Sequence, residues 1–439
     1  MDDPRRSTPR TDHVLAEPRL QAAATRLGAP TVKAAVKEAL ARCRAGEVTP
    51  EQVADVAVAS LPQAATAMRR VLNATGVIVH TNLGRAPLSS AAVAALGVAA
   101  GAADVELDLP SGRRGARGRS ALAALRDAVP DAEEVHVVNN GAAALALVTC
   151  ALAADGREVV VSRGEMVEIG DGFRLPELLE SVGARLREVG TTNRVRLADY
   201  ADALTDNTAF ILKVHPSNFV VSGFTSTVSV AELAKLPATV VVDIGSGLLA
   251  PHRRLPDEPS ASTVLQAGAD LVTASGDKLL GGPQCGLMLG RRGLVEQLRR
   301  HPFARAVRVD KLTLAALEAT VTGPPPPVVA ALAAPITQLR ARAERLAAEV
   351  GDPARTVDTS AVVGGGGAPG VELASAGVAL PAELAAPLRV GATPVVGRIE
   401  QGTLLLDLIA IAEEDDEVLA TAIKAALSHR DLDLVTSGT

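Results

Sequence analysis

The sequence predicts an α/β protein in three parts: a small helical N-terminal domain, a large domain with a mainly parallel sheet, and a small α+β C-terminal domain. Between Arg19 and Arg44, apolar residues recur three and four positions apart, as they do on one face of a helix. After Asn73, short β-branched runs alternate with segments rich in Ala and Leu, which is typical of a parallel sheet covered by helices. The proline run TGPPPPVVAAL (322–332) separates this pattern from a long helix, two strand-like stretches and a last helix.

These changes of pattern predict four segments: a disordered tail over 1–17, a helical domain over 18–70, a large domain over 71–320, and a linker helix with a small domain over 321–439. The tail is expected to be disordered because it is polar and contains proline. Within the helical domain, a further helix is expected in TPEQVADVAVASL. Thr49 would cap it, Pro50 would take its first position, and Gln52 would complete a capping box.

Five buried strands are expected in the large domain, because each run is hydrophobic throughout and a loop or helix follows it. The runs are VHVV (135–138), EVVVS (158–162), AFILKVH (209–215), TVVVDIG (239–245) and DLVTASG (270–276). The first run precedes the helical segment GAAALALVTCALA, and the second precedes a loop and the helical segment LPELLESVG.

Composition limits the classes of function that the chain can serve. It has 439 residues, 48% of them hydrophobic and 21% charged, which is enough for the cores of two or three domains. Five Phe, one Tyr and no Trp mean that these cores consist mainly of Ala, Val and Leu. An RNA partner would find few rings to stack on, so its recognition would depend on phosphate charge and shape.

Cysteine spacing, hydropathy and charge limit the kinds of site, location and partner that we expect for this chain. The three cysteines, Cys43, Cys150 and Cys285, form no CxxC pair, so neither a disulfide framework nor a metal site is expected. No apolar run resembles a signal peptide or a membrane span, and we expect a cytoplasmic protein without a membrane partner. Net charge is −6, yet residues 1–72 carry 11 Lys and Arg against 8 Asp and Glu. This excess fits either an anionic partner or a solvated surface.

Two features of the large domain could hold an anionic, ring-containing ligand. The stretch NNGAAALAL (139–147) follows a strand and opens a helix, and a helix N-terminus attracts phosphate. Asp243 lies near the end of a strand and precedes a glycine turn, at the edge where α/β sheets bind ligands. Taken singly, the first is also explained by a plain tight turn and the second by a helix N-cap.

A lysine and a glycine-rich turn follow. Lys278, in SGDK, lies 35 residues after the aspartate, and a partly desolvated lysine readily forms a Schiff base. The glycines of GGPQCG let the backbone pass close to a bulky group. A surface lysine and a flexible turn are the simpler explanations of each feature alone. Together, a phosphate loop, a carboxylate and a lysine in this order indicate pyridoxal phosphate, with the carboxylate keeping the pyridine nitrogen protonated.

A second glycine motif does not support a nucleotide cofactor. GGGAPG (365–370) matches GxGxxG but leads into the strand-like VELAS rather than a helix, so the dinucleotide interpretation fails its context test.

Arginines form a second candidate set for binding an oxyanion. Arg85 lies in NATGVIVHTNLGRAP, and Arg305 and Arg308 follow the lysine by 27 and 30 residues. If their segment is helical, the latter two share one face, and the apolar residues around them suggest partial burial. Solvated surface is the better interpretation of the arginine cluster at 113–119.

Long stretches resemble the family of bacterial L-seryl-tRNA(Sec) selenium transferases, the pyridoxal-phosphate-dependent selenocysteine synthases. The matching stretches are NATGVIVHTNLGRAPLS, VNNGAAALAL, SRGEMVEIG, VGTTNRVRLADY, KVHPSNFVVSGFT, VDIGSG, SGDKLLGGPQCG, RAVRVDKLTLAALEAT and TPVVGRIEQGTLLLDL. The resemblance implies a fold-type-I large domain, an N-terminal tRNA-binding domain, and a homo-oligomeric ring of dimers, with a decamer as the expected size.

The resemblance also implies a role for each candidate residue. Lys278 would carry the cofactor and Asp243 would pair with its ring nitrogen. The remaining cofactor contacts would come from Asn140, Gly141 and Ala142 at the phosphate, and from His215 and Ser217 near the ring oxygen or phosphate. The residues expected to act on selenophosphate or beside the lysine are Arg85, Arg305, Arg308 and Asp277.

The implied reaction converts L-seryl-tRNA(Sec) to L-selenocysteinyl-tRNA(Sec) with selenophosphate, through an aminoacrylate bound to the cofactor. Asp171, Cys285 and Ile409 depart from the family pattern, and Ile409 stands where an arginine would be expected. A related lyase or ammonia-lyase acting on a small phosphorylated sugar acid or amino acid is the alternative. A non-catalytic tRNA-binding protein would have no reason to keep the lysine and its carboxylate partner.

Overall fold

A computed structural model describes residues 7–62 and 64–437 of the chain. The chain forms two compact units. The first comprises Met1–Val71 with Ala392–Pro394, and the second comprises Leu72–Gly391 with Val395–Thr439. Among the described residues, no helix is both long enough and apolar enough to cross a bilayer.

The first unit is a small helical bundle with its own apolar core. Its helices are Thr11–Leu15, Pro18–Leu27, Ala29–Arg44 and Val53–Ala59. Leu20, Val32 and Leu40 are fully buried in this core. As the sequence predicts, Thr49 and Gln52 form a capping box around the 3-10 turn Pro50–Gln52.

The disordered tail expected over 1–17 is wrong for its described part. Residues Thr11–Leu15 form a helix, and Val14 is buried in the core of the bundle. Val14 and the partly buried Leu15 pack this helix against the bundle, a tertiary effect that composition does not reveal. Residues 1–6 of that segment lie outside the described residues.

The second unit contains two large sheets and two small two-stranded sheets. In the part of the chain that the structure describes, the strands are β1 (Leu72–Ala74), β2 (Val77–Val79), β3 (Leu107–Asp108), β4 (Arg113–Arg114), β5 (Glu134–Val138), β6 (Glu158–Ser162), β7 (Glu168–Ile169), β8 (Phe173–Arg174), β9 (Arg185–Val189), β10 (Thr208–Val214), β11 (Val240–Gly245), β12 (Leu271–Ser275), β13 (Gly286–Gly290), β14 (Arg355–Gly364), β15 (Glu372–Pro381), β16 (Val395–Glu400) and β17 (Thr403–Asp407). Its α-helices are Ser90–Ala100, Arg119–Ala128, Gly141–Leu152, Leu175–Ser181, Leu197–Ala201, Val230–Leu233, Ala261–Gln266, Arg292–Arg300, Phe303–Ala306, Lys311–Thr322, Pro327–Ala333, Ile336–Val350, Ala385–Val390 and Asp416–Ser437.

A seven-stranded sheet in the order β5-β13-β12-β11-β10-β6-β9 carries the candidate site. The five predicted strands are confirmed as β5, β6, β10, β11 and β12. The pairs among β9, β6, β10, β11 and β12 are parallel, while β13 is antiparallel to both β12 and β5. The glycine-rich turn after Lys278 is short enough to return the chain directly alongside β12, which explains the reversed strand.

Successive side chains along each strand point to opposite faces of this sheet, and each face has its own apolar core. In β11, Val240 and Val242 belong to one core and Val241 to the other. Asp243 therefore lies on the face of Val241, the face that packs against helix Gly141–Leu152. The sheet places this carboxylate at its carboxyl edge, under the helix that the phosphate loop opens.

A six-stranded sheet in the order β1-β16-β17-β15-β14-β2 builds the C-terminal region. The predicted boundaries assigned residues 71–320 to the large domain, but β1 and β2 belong to this sheet. They pair in parallel with β16 and β14. Long-range pairing of this kind leaves no signal in the local pattern of residues 72–79.

A buried polar cluster around Asp407 ties this sheet together. The Asp407 side chain has no exposed surface and accepts hydrogen bonds from Thr359 Oγ1 and Ser375 Oγ, both at 2.6 Å. Arg398 Nη1 lies 3.2 Å from the same carboxylate. Each donor comes from a different strand, so one carboxylate links β14, β15 and β16 to β17.

We expect Asp407→Ala to lower the free energy of unfolding by about 3–5 kcal/mol, because two hydroxyls lose their buried charged acceptor and Arg398 keeps only the more exposed Glu400 as an ionic partner. Chemical denaturation followed by circular dichroism measures the loss. Asp358→Ala is the matched control in β14. It breaks a solvent-exposed ion pair with Arg340 and should cost less than about 1 kcal/mol. Equal losses in the two variants would contradict this account of the sheet.

Candidate active site

Lys278 lies in the turn between β12 and β13 and is partly buried. Burial lowers the pKa of its ammonium group, and Arg85 acts in the same direction. Asp243 and Asp277 oppose this shift. A lysine in this environment loses its proton more readily than a surface lysine, as a Schiff-base amine must.

Asp243 is held by a neighbour on the adjacent strand. Thr273 is paired with it in the β11–β12 register, and Thr273 Oγ1 donates a hydrogen bond to Asp243 Oδ1 at 2.7 Å. Burial raises the pKa of the Asp243 carboxyl, while the Thr273 hydroxyl and the charge of Lys278 lower it. A cationic ring nitrogen would favour the ionised carboxylate further.

The structure brings Lys278, Asp243 and Ser217 to the same edge of the sheet. A Cβ atom added to Gly245, at the end of β11, would lie 3.3 Å from Ser217 Oγ and 3.8 Å from Lys278 Nζ. His215 follows β10, and its backbone N–H donates to the Asp243 carbonyl at 2.9 Å. The carboxyl ends of three neighbouring strands therefore supply these side chains.

The stretch NNGAAALAL follows a strand and opens a helix, as the sequence predicts. Asn140 is the N-cap of helix Gly141–Leu152, and its Oδ1 accepts a hydrogen bond from the Ala143 N–H at 2.8 Å. A Cβ atom at Gly141 would lie only 2.7 Å from Ser275 Oγ, so a larger residue there would displace the Ser275 hydroxyl. The first backbone N–H groups of the helix, including that of Ala142, have no partner within the helix and suit an anion.

Arg85 and Asp277 form an ion pair next to the lysine. Arg85 Nη1 lies 2.7 Å from Asp277 Oδ2, and the Asp277 side chain is only 8% exposed. The Arg85 backbone is left-handed, with φ of 66°, and its N–H donates to the His80 carbonyl at 3.0 Å. The guanidinium is 38% exposed, so it keeps donors free for a further anion.

Arg305 and Arg308 do not share a helical face, so that prediction is wrong. The helix Phe303–Ala306 ends before Arg308, which forms an isolated β-bridge with Val138. Val307 and Val309 are buried while Arg308 between them is exposed, which is the alternation of extended chain. Arg305 is exposed as well, so the expected partial burial is wrong for Arg305, while the Arg308 side chain is exposed over only 37% of its surface.

The arginine cluster at 113–119 is largely surface, as interpreted from the sequence, but Glu106 connects it to the candidate site. Arg114 and Arg117 bind the Glu106 carboxylate at 2.8 Å and 3.2 Å. Arg308 Nη1 lies 3.7 Å from the same carboxylate. The hydrogen bond from Arg117 lowers the pKa of Glu106, so this acid remains charged and orients Arg308.

Two of the three departures from the family pattern lie in apolar surroundings. Cys285 is fully buried, and burial raises the pKa of its thiol to about 12. Ile409 is buried in the core of the C-terminal region, where an arginine would have to leave solvent. The side chain of Asp171 lies outside the described residues.

The residues present fit pyridoxal phosphate. Among the described residues, several buried polar atoms on the segments around Lys278 lack a hydrogen-bond partner, and these are His80 Nδ1, Ser246 Oγ and Asp277 Oδ1. A polar ligand would satisfy such atoms. Sequence reasoning missed Thr273 and Glu258, whose carboxylate lies 3.2 Å from His215 Nε2. Only the strand register could have revealed Thr273, and no local signal marks Glu258.

Two family models match the chain. The one described as L-seryl-tRNA selenium transferase matches residues 71–412, and the one described as selenocysteine synthase N terminal matches residues 5–44. A solved structure of D-glucosaminate-6-phosphate ammonia-lyase is similar with a TM-score of 0.59 at 19% identity, over 82% of this chain and 96% of that one. This likeness concerns the fold alone, and the chain has the fold-type-I architecture that the sequence predicts.

Relatives named L-seryl-tRNA(Sec) selenium transferase match over most of their length. The protein of Geobacter sulfurreducens is 41% identical, over 96% of this chain and 98% of its own. That of Hyphomonas neptunium is 45% identical over 78% and 79%, and that of Moorella thermoacetica 44% over 82% of each. The chain therefore belongs to the L-seryl-tRNA selenium transferase family.

Proposed function

We propose that this protein converts L-seryl-tRNA(Sec) to L-selenocysteinyl-tRNA(Sec), with selenophosphate as selenium donor and pyridoxal phosphate as cofactor. One combined observation carries the proposal. The chain is similar, over nearly its full length, to relatives named L-seryl-tRNA(Sec) selenium transferase, and its Lys278 and Asp243 lie at one edge of the sheet. The ammonia-lyase alternative has only a likeness of fold at 19% identity in its favour.

Seven residues would hold the cofactor. Lys278 Nζ would attach its aldehyde, and Asp243 would face its ring nitrogen. The others would be Asn140, Gly141 and Ala142 at the phosphate, with His215 and Ser217 at the ring oxygen or phosphate. When bound, pyridoxal phosphate supplies a covalent link to an amine and a ring that accepts electrons.

Lys278 and Asp277 would handle protons. The lowered pKa of Lys278 favours the free amine, which can accept the Cα proton of the seryl group. Asp277 anchors Arg85 through one oxygen and keeps its other oxygen buried without a partner among the described residues. We assign Asp277 the role of a catalytic helper beside the lysine.

Arg85, Arg305 and Arg308 would receive selenophosphate. Guanidinium groups bind phosphate-like oxyanions through two parallel hydrogen bonds, and fixed cations stabilise a reacting anion without reorganisation. Arg308 has the more rigid setting, since its backbone bridges to Val138 beside the phosphate loop. Arg85 has its ion pair with Asp277.

Assembly and location belong to the same proposal. We infer a homo-oligomer of dimers arranged in a ring, with a decamer as the expected size. Large apolar side chains exposed on this single chain support association, notably Val98 and Leu109 at 78% and 66% exposure. A cytoplasmic location follows from the proposed tRNA substrate.

The assay for the proposal is incubation of the purified protein and pyridoxal phosphate with seryl-tRNA(Sec) and selenophosphate. We expect selenium to appear on the tRNA with wild-type protein and not with Lys278→Ala, because Lys278 supplies the amine that attaches the cofactor, whereas the nearby Lys213 is paired with Glu165. Lys235→Ala, at an exposed lysine, is the control and should remain active. Release of ammonia from a phosphorylated amino sugar acid without selenium transfer would replace this function with the lyase.

Thr273→Val should weaken the binding of pyridoxal phosphate at neutral pH by about threefold to tenfold. Burial already raises the pKa of Asp243, and only its ionised form pairs with a protonated ring nitrogen, so affinity should fall as pH falls. Removing the Thr273 hydrogen bond raises that pKa further, which moves the midpoint of the loss to higher pH.

Spectroscopic titration of the cofactor at a series of pH values measures this midpoint. Thr320→Val removes an equally buried hydroxyl that donates to the Ala316 carbonyl within a helix, and it should leave the midpoint unchanged. A midpoint that does not move in Thr273→Val would show that the hydroxyl has no part in charging Asp243.

The N-terminal unit is proposed to bind tRNA. Its core is separate, so deleting residues 1–68 should leave cofactor binding intact while weakening tRNA binding. In the full chain, replacing the exposed Lys33 and Lys37 by Gln should reduce the dependence of tRNA affinity on salt concentration. Filter binding at several salt concentrations measures both effects. Unchanged tRNA affinity after the deletion would contradict this role.

A further inference from the structure

The glycine motif that failed as a nucleotide site covers Lys278 instead. Residues Gly364–Ala368, here called the cover loop, comprise the end of β14 and the first part of the connection to β15. A Cβ atom at Gly366 would lie 2.5 Å from Lys278 Nζ and 2.6 Å from its Cε. Gly366 also has φ of 84°, a conformation that residues with side chains rarely adopt. The loop is therefore free of side chains where it crosses the lysine.

The cover loop ends in a backbone conformation that needs support. Ala368 has φ of 45°, which is uncommon for any residue other than glycine and persists only where the surroundings fix it. Its N–H donates a hydrogen bond to Glu258 Oε2 at 2.6 Å. This contact links the loop to a residue that lies 110 positions earlier in the chain.

Glu258 binds the active-site histidine through the same oxygen. Oε2 lies 3.2 Å from His215 Nε2, and the Glu258 side chain is 1% exposed. Its other oxygen, Oε1, is buried without a partner among the described residues. A ring N–H at Nε2 can donate to this oxygen. One oxygen therefore contacts both the loop over the lysine and the ring of His215.

We propose that Glu258 is a positioning residue for the candidate active site. It holds the cover loop over Lys278 through Ala368 and orients His215, and it does so without touching the reacting atoms. Its importance for catalysis rests on the proposed function, whereas its hold on the loop is a property of the protein alone. The arrangement requires a side chain at position 258 that is long enough for one oxygen to contact both donors. It does not require that this oxygen be charged.

Substitutions that separate reach from charge test the proposal. Glu258→Gln keeps an acceptor oxygen at the same distance and loses the charge. Glu258→Asp keeps the charge but is shorter by one methylene and cannot meet both donors. Glu258→Ala removes the contact altogether, and Asp257→Asn changes the exposed neighbouring acid as the matched control.

The primary readout is hydrogen exchange, by mass spectrometry, of the peptide that contains the cover loop in the full chain without added cofactor. We expect exchange to become about tenfold faster or more in Glu258→Ala and Glu258→Asp, because the Ala368 N–H loses its side-chain acceptor. Glu258→Gln and Asp257→Asn should exchange like the wild type. If Glu258→Ala does not fold, the difference in exchange rate between Glu258→Asp and Glu258→Gln is sufficient to test the proposal.

In the selenium transfer assay, Glu258→Gln should keep most of the wild-type turnover. Glu258→Asp should lose most of it. Slow exchange in Glu258→Asp together with fast exchange in Glu258→Gln would overturn the proposal, since charge would then be the property that matters. Unchanged exchange in all variants would overturn it too. A failure of selenium transfer by the wild type would leave the exchange result standing and would count against the proposed function only.

Discussion

The site depends on a partly desolvated amine and a buried carboxylate that share one edge of the sheet. Water would otherwise keep Lys278 protonated and Asp243 ionised independently of each other. Burial works against both charges, and each charge partly offsets the cost of the other. This balance leaves the lysine ready to lose its proton and the carboxylate ready to pair with a cation. Both side chains are placed by backbone that the central strands make rigid.

Much of this arrangement can be predicted from the sequence because central parallel strands are buried on both faces. Their continuous apolar runs identified β5, β6, β10, β11 and β12, and the polar residues after those runs marked the carboxyl edge. β9 was missed because it pairs on one side only, with β6, and reads RLREV. β13 was missed because its glycines resembled an extension of the preceding turn.

Contacts between distant segments could not be predicted. Thr273 supports Asp243 through strand register, and Glu258 reaches both His215 and Ala368 across long separations in sequence. Helical spacing misplaced Arg305 and Arg308, because the helix ends at Ala306 and the next residues are extended. The sequence context of GGGAPG argues against a dinucleotide site, but its position over the lysine follows only from β14 and β15.

The C-terminal sheet contributes more to the site than a small appended domain would. It incorporates β1 and β2 from the start of the second unit, and it carries the cover loop between two of its longest strands. The buried cluster around Asp407 stabilises the strands that hold this loop. Stability of this sheet and the environment of Lys278 are therefore connected through β14 and β15.

The most direct test of this account is to load the protein with pyridoxal phosphate, reduce it with borohydride, and map the modified peptide by mass spectrometry. The account predicts one phosphopyridoxyl group per chain, on Lys278. Modification of another lysine, such as Lys213, whose Nζ is already paired with the buried Glu165, or the absence of stable modification, would contradict it.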